Sequence, residues 1–300
     1  MSELAAGETL LDRRGLVLAA ARENTLAQLL NIAAALGVDH RPLKETELQR
    51  RAPFLAGGCC NTGVLLPGGG VLDIHALGEV LRRRLAHAGA KLQTAREVAR
   101  ICVARGEVRG VELTNSETIA ASTVVIAAGA WSGRLGETCG CPMDLRPHRR
   151  HLVQLLATPA TPRTSAVAWN VDSGVYLRHE GSGVLACPGD HVPHAPGLPS
   201  VDPAELERLA RLLPQTAPAL RHAEVQRAWA CLRTMSSDLD PAIGPDPRLP
   251  GLFWLSGLGG FGMTAGLAAG ELLARIMEGR EDQLSNAVNP GRLLKPAPQV

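Results

Sequence analysis

The chain has 300 residues, with 31 lysines and arginines against 29 aspartates and glutamates. That length supports one large domain or two modest ones, burying about 75% of the unfolded surface without help from disulfides or metals. A formal charge of +2 is too small for a nucleic-acid footprint, and 45% apolar with 20% charged residues excludes a disordered or fibrous chain.

The first expected strand is Leu16 to Ala20, followed by a helix over Glu23 to Leu36, where Leu26, Leu29, Leu30, Ala33 and Ala34 recur at helical spacing and Gly37 closes the run. A connector with a short helix at Glu45 to Arg51 leads into a glycine-rich stretch ending at Asp73, an N-cap for the helix from Ile74 to His87. Charged β-like pieces, Val98 to Val103 and Val108 to Leu113, suit a small antiparallel meander. The uninterrupted apolar run Val124 to Ala128 instead suits a parallel strand buried on both faces.

From about Pro147 to Arg233 the pattern is strand-rich and punctuated by Gly181, Gly183, Gly189, Pro193 and Pro196, as antiparallel loops require. One helix is expected near Pro203 to Leu213. An apolar strand returns at Gly251 to Leu258, then a helix from Met263 to Met277, and the polar, proline-containing remainder after Gly279 reads as a flexible tail. The division expected is 1–146, 147–233, 234–279 and a tail over 280–300.

The amino-terminal residues carry no basic segment leading into an apolar run, and no stretch approaches eighteen uncharged apolar residues, so neither a signal peptide nor a transmembrane span is expected. Seven cysteines form no dense framework, and neither Cys59-Cys60 nor Cys139-Gly140-Cys141 has zinc-site spacing. Reduced thiols, a cytoplasmic location and no metal follow as expectations, with peripheral attachment to the inner membrane as an alternative.

The most informative segment is Gly251-Leu-Phe-Trp-Leu-Ser-Gly257-Leu-Gly-Gly260-Phe-Gly262-Met263. A strand running through closely spaced glycines into a helix lets backbone amides approach a planar or anionic ligand, although a tight connection chosen for packing would look similar. Ala128-Gly129-Ala130-Trp131 turns the chain at the end of another strand, the usual ligand side of an open α/β sheet. Arg233 follows an apolar strand, where its fork can clamp a carboxylate or instead pair with Asp238 or Asp240. Tyr176 and Arg178 share one face of a short strand and suit a pocket wall or ordinary packing. The basic clusters Arg82-Arg83-Arg84 and Pro147 to His151 lack the aromatic interleaving of a nucleic-acid groove.

Four segments in this order resemble the flavoprotein family of D-amino-acid oxidases and dehydrogenases, which includes the glycine and sarcosine oxidases. They are Gly70-Val-Leu-Asp73, Val124 to Trp131, Trp229-Ala-Cys-Leu-Arg233 leading to Pro241-Ala-Ile-Gly244, and Gly251 to Gly262. Within the last, Phe253 to Gly262 looks like the bacterial D-arginine dehydrogenase branch. The resemblance implies FAD as cofactor, bound along Ala128, Gly129, Ala130, Trp131, Gly257, Gly259, Gly260, Phe261, Gly262 and Met263. It also implies that Arg233 binds the substrate carboxylate, with Tyr176 and Arg178 completing the pocket. The implied chemistry is oxidation of an amino-acid α-carbon, through hydride transfer to flavin N5, to an imino acid that hydrolyses.

Family members begin with a strand, a Gly-x-Gly-x-x-Gly turn and a helix, and no such start is seen here, as if the chain began roughly 80 residues late. The expected fold is therefore α/β plus α+β, an incomplete FAD-binding Rossmann-like domain with an antiparallel-sheet substrate domain. A partner chain supplying the remaining FAD-binding unit, and a non-catalytic or truncated subunit of a hetero-oligomeric flavoprotein, stand as alternatives. The electron acceptor is left open.

Overall fold

The computed structural model describes residues 10–156 and 165–294. The chain divides into two compact units. One comprises Met1–Ala88, Arg150–His191 and Ser200–Cys231, and the other Gly89–Arg149, Val192–Pro199 and Leu232–Val300.

Local chemistry sets many of the boundaries. The first helix spans Glu23–Ala35 and ends where Gly37 takes a φ of +64°, a conformation that only glycine adopts without Cβ strain. Asp73 caps Ile74–His87 by accepting from the Ala76 N–H at 2.9 Å, and Asp202 caps Pro203–Thr216 by accepting from Ala204 N–H at 3.0 Å. In the meander, Arg105 and Gly106 join Val98–Ala104 to Glu107–Leu113 with φ of +55° and +76°, the paired positive values of a type I′ hairpin turn.

The first unit is built on a sheet in which Gly183–Cys187, Tyr176–Glu180, Val167–Asn170, Leu16–Ala20, Thr62–Leu66 and Arg41–Lys44 follow one another. The pairings along this path are antiparallel except that Leu16–Ala20 runs parallel to Val167–Asn170. Alternation puts Val17, Ala19, Ala168, Leu177, Val184 and Ala186 on one face, buried against Leu48, Phe54, Leu55, Leu209, Leu213 and Leu220 from helices. The strands Leu145–Leu156 and Val225–Ser236 pair with each other, and each is shared between the units.

The second unit has three layers. Its central sheet orders Ala242–Pro245, Leu252–Ser256 and Val124–Ile126, the first pair antiparallel and the second parallel. On one face Leu252, Trp254 and Ile126 pack with Ile101 and Val108 of the meander; on the other, Phe253 and Leu255 meet Leu272, Leu273 and Ile276 of the helix Gly262–Met277.

Three expectations need correction here. The incomplete Rossmann-like domain is replaced by a mixed sheet whose two faces are covered by the chain's own meander and helix, within a two-unit α/β plus α+β fold. The Val124 strand is three residues long, not five, and is not buried on both faces: it lies at the end of the sheet order, and Val125 is 38% exposed. The segment expected to be a flexible tail forms Gln283–Ala287, with a capping box from Asp282, and the 3-10 turn Pro290–Leu293; residues 295–300 lie outside the described part.

Candidate functional site

The turn after Leu252–Ser256 is dictated by its glycines. Gly257, Gly259 and Gly260 have φ of +74°, +60° and +94°, so side chains there would be strained. Glycines 257, 259 and 262 also fall at Gly-x-Gly-x-x-Gly spacing between a strand and a helix, which reading the segment simply as glycine-rich overlooks. The helix that follows opens on Phe261 with no side-chain cap, leaving its first N–H groups and the positive end of its dipole directed out of the turn. Phe261 and Met263 flank that opening, 59% and 60% exposed.

The strand carrying Arg233 is fastened to this turn. Thr234 O accepts from Gly259 N–H at 2.9 Å, and Met235 bridges Leu258. Arg233 is half-buried, and its side chain crosses Gly260: a Cβ there would sit 2.4 Å from both Cδ and Nε of the arginine. Asp238, one of the two partners weighed for Arg233, is occupied otherwise. Arg292 donates to it at 2.8 and 3.1 Å, and Ser236 donates at 3.0 Å. Burial alone would raise the Asp238 carboxyl, but these bonds outweigh it and hold it below its ordinary value. Asp240 meets Ser236 and Arg292 through its backbone carbonyl. Among the described residues the Arg233 guanidinium takes no ion pair.

The second segment turns through Gly129, φ +53°, in the 3-10 turn Gly129–Trp131, and enters the helix Ser132–Thr138. Ala130 is buried, whereas Trp131 is 43% exposed at a cavity of about 600 Å³ that Glu97, Val98, Ala128 and Arg134 also line. The two segments are joined beneath the surface. Ser256 donates to Ile126 O at 3.0 Å and lies 2.8 Å from the hydroxyl of Ser132, both serines being buried. Sequence spacing carries no signal for this bond between residues 124 positions apart. Ser256→Ala leaves the Ile126 carbonyl and the Ser132 hydroxyl without their partner, at a cost of about 1–3 kcal/mol. A lowered thermal midpoint is the expected result; an unchanged midpoint would show that the two segments are held independently.

Tyr176 and Arg178 belong to the other unit from Arg233. They lie half-buried on the face opposite Leu177, the Tyr176 ring meeting Trp169 edge-on at 6.2 Å and Arg178 pairing with Glu180 at 2.9 Å. The cysteines form no disulfide among the described residues, and burial pushes the Cys141 thiol up to about 12. No group suited to hold a metal occurs among the described residues, and no described helix is long and apolar enough to cross a membrane.

The glycine cradle, the uncapped helix start and the exposed apolar Phe261, Met263 and Trp131 fit a flat group with anionic character. Residues 1–276 match the family model described as DAO, FAD dependent oxidoreductase. The chain is 30% identical to glycine oxidase of Geobacillus kaustophilus over 247 residues, and 27% identical to a D-amino acid dehydrogenase of Methylobacterium nodulans over 266, covering 80% and 87% of this chain. It spans 62% of the length of each of these two relatives. The crystal structure of glycine oxidase from Geobacillus kaustophilus superposes with a TM-score of 0.82 at 24% identity, covering 98% of this chain and 80% of that one. Superposition of 98% of this chain on that structure corrects the expected incomplete Rossmann-like domain to a two-unit α/β plus α+β fold, and these likenesses lend no support to the alternative of a partner chain supplying a further unit.

Proposed function

We propose, from the premise that this chain belongs to the DAO family of FAD-dependent oxidoreductases, that it oxidises an amino acid at its α-carbon to an imino acid. FAD, when bound, supplies the electron sink that accepts a hydride at N5. The chain's own contribution is placement. Arg233 carries the reading: half-buried, lying across the glycine turn and without an ion pair among the described residues, it offers a carboxylate two parallel charge-assisted bonds. Gly257, Gly259, Gly260, Phe261, Gly262 and Met263, with Ala128, Gly129, Ala130 and Trp131, hold the cofactor, the glycines admitting close backbone approach and the apolar side chains covering its flat faces. A substrate contact for Tyr176 and Arg178 rests on the family resemblance alone. With the carboxylate fixed, the α-carbon would be held for oxidation, and water would hydrolyse the released imine to an oxo acid and ammonia.

A D-amino acid is the proposed substrate class. The likeness to a D-amino acid dehydrogenase supports it, while the finer resemblance to D-arginine dehydrogenase rests on Phe253 to Gly262 alone. The test is the visible spectrum of the protein purified from its native locus, followed during anaerobic addition of glycine, sarcosine and a panel of D-amino acids including D-arginine. Flavin bands that bleach with at least one of them, with matching oxo acid, are expected. A colourless protein, or flavin that none of them bleaches, overturns the reading.

A further inference from the structure

We infer that Gly260 is a positioning residue for Arg233, and that the space left by its missing side chain sets where the guanidinium is presented. This rests on the reading of Arg233 as the carboxylate ligand. A Cβ on Gly260 would lie 2.4 Å from Cδ, 2.4 Å from Nε and 3.2 Å from Cγ of Arg233, while no backbone atom is among its three nearest neighbours. The clash is thus with one flexible side chain, and its relief is displacement of Arg233, over and above the backbone strain that a φ of +94° imposes on any side chain there. The neighbouring turn residues behave differently. Gly259 would bring its Cβ to the Met235 sulfur at 3.2 Å, and Gly257 would meet Leu145 at 3.3 Å. The strand and the turn are tied on either side of the contact, Thr234 O holding Gly259 N–H and Met235 bridging Leu258, which limits how far backbone movement absorbs the added methyl. Gly260 therefore fixes the arginine's course across the turn, a role separate from letting a ligand approach the backbone.

The test is a double-variant cycle on the full-length holoprotein with benzoate as a carboxylate probe, read by calorimetry, beside thermal midpoints. Gly260→Ala is expected to weaken benzoate on the order of tenfold or more, since displacements near 1 Å are costly in positioned sites. In the Arg233→Ala background Gly260→Ala should add almost nothing, and the double variant should melt above Gly260→Ala, because the clash is gone. Should Gly260→Ala prove too unstable to titrate, that recovery of the midpoint decides the matter. The inference falls if Gly260→Ala weakens benzoate equally in both backgrounds, or if the double variant melts no higher than Gly260→Ala. Arg233→Ala leaving benzoate affinity intact would instead sink the carboxylate assignment; a crystal structure of Gly260→Ala with Arg233 unmoved would sink the positioning role alone.

Discussion

Arg233→Ala is expected to raise KM for the amino-acid substrate by on the order of a hundred- to ten-thousandfold, with a smaller fall in kcat. Each charge-assisted bond contributes about 1.5–3 kcal/mol, and the substitution removes two that act together on a carboxylate. The guanidinium is not diverted to Asp238, which Arg292 and Ser236 occupy, so no competing ion pair has to be broken when substrate enters. Arg233→Lys keeps the charge but not the planar fork, and should recover only part of the loss. Steady-state kinetics over the substrate panel, with benzoate inhibition measured beside it, make the check. A KM within about threefold of the native value would remove Arg233 from the binding site.

The largest effect on stability is expected at Asp246. It is 4% exposed and accepts from Trp254 Nε1 at 2.9 Å, from Arg248 N–H at 2.9 Å, and from the Arg248 guanidinium at 2.9 and 2.7 Å. Asp246→Ala strands the indole N–H of a fully buried tryptophan and takes the ion pair from Arg248, at a cost of about 3–5 kcal/mol, or roughly 6–20 °C in thermal midpoint. Acidification should act through the same group. Burial pushes the Asp246 carboxyl up, but the Arg248 side chain and backbone and the Trp254 indole outweigh it, so the folded protein holds it below its ordinary value. The stabilisation is accordingly complete above the ordinary aspartate range near pH ~4 and is lost as pH falls through the lower folded value. Melting curves from pH 7 down to pH 2 should therefore show an acid-dependent fall that is shallower in Asp246→Asn. Parallel profiles for the native protein and that variant would contradict the assignment.

Helix ends were legible wherever one residue decides them. Asp73 has the side chain to satisfy a helix N-terminus, Gly37 has the freedom to close a helix, and both act within a few bonds of their own position. Strand periods in the meander and around Tyr176 were legible for the same reason. The mate of a strand was not. Nothing in Leu16–Ala20 marks it as the parallel neighbour of Val167–Asn170 some 150 residues later, because a parallel pairing needs no linking turn and leaves no local sign. Val125 shows the limit of composition: the same apolar run suits a central strand or an edge, and the sheet order decides between them.

The site divides along the same line. The amino-acid sequence by itself determined which residue types were available, namely a glycine turn between strand and helix, a second turn at Gly129, and an arginine following a strand, because these depend on backbone freedom and charge carried by the residues themselves. Only the tertiary structure decided that Ser256 joins the two turns through Ser132, that Arg292 takes Asp238 and leaves Arg233 without an ion pair among the described residues, and that Arg233 crosses the face of Gly260. Those outcomes depend on which groups share a few ångströms of space after folding, and at separations of 27 to 124 residues chain spacing exerts no control over that distance.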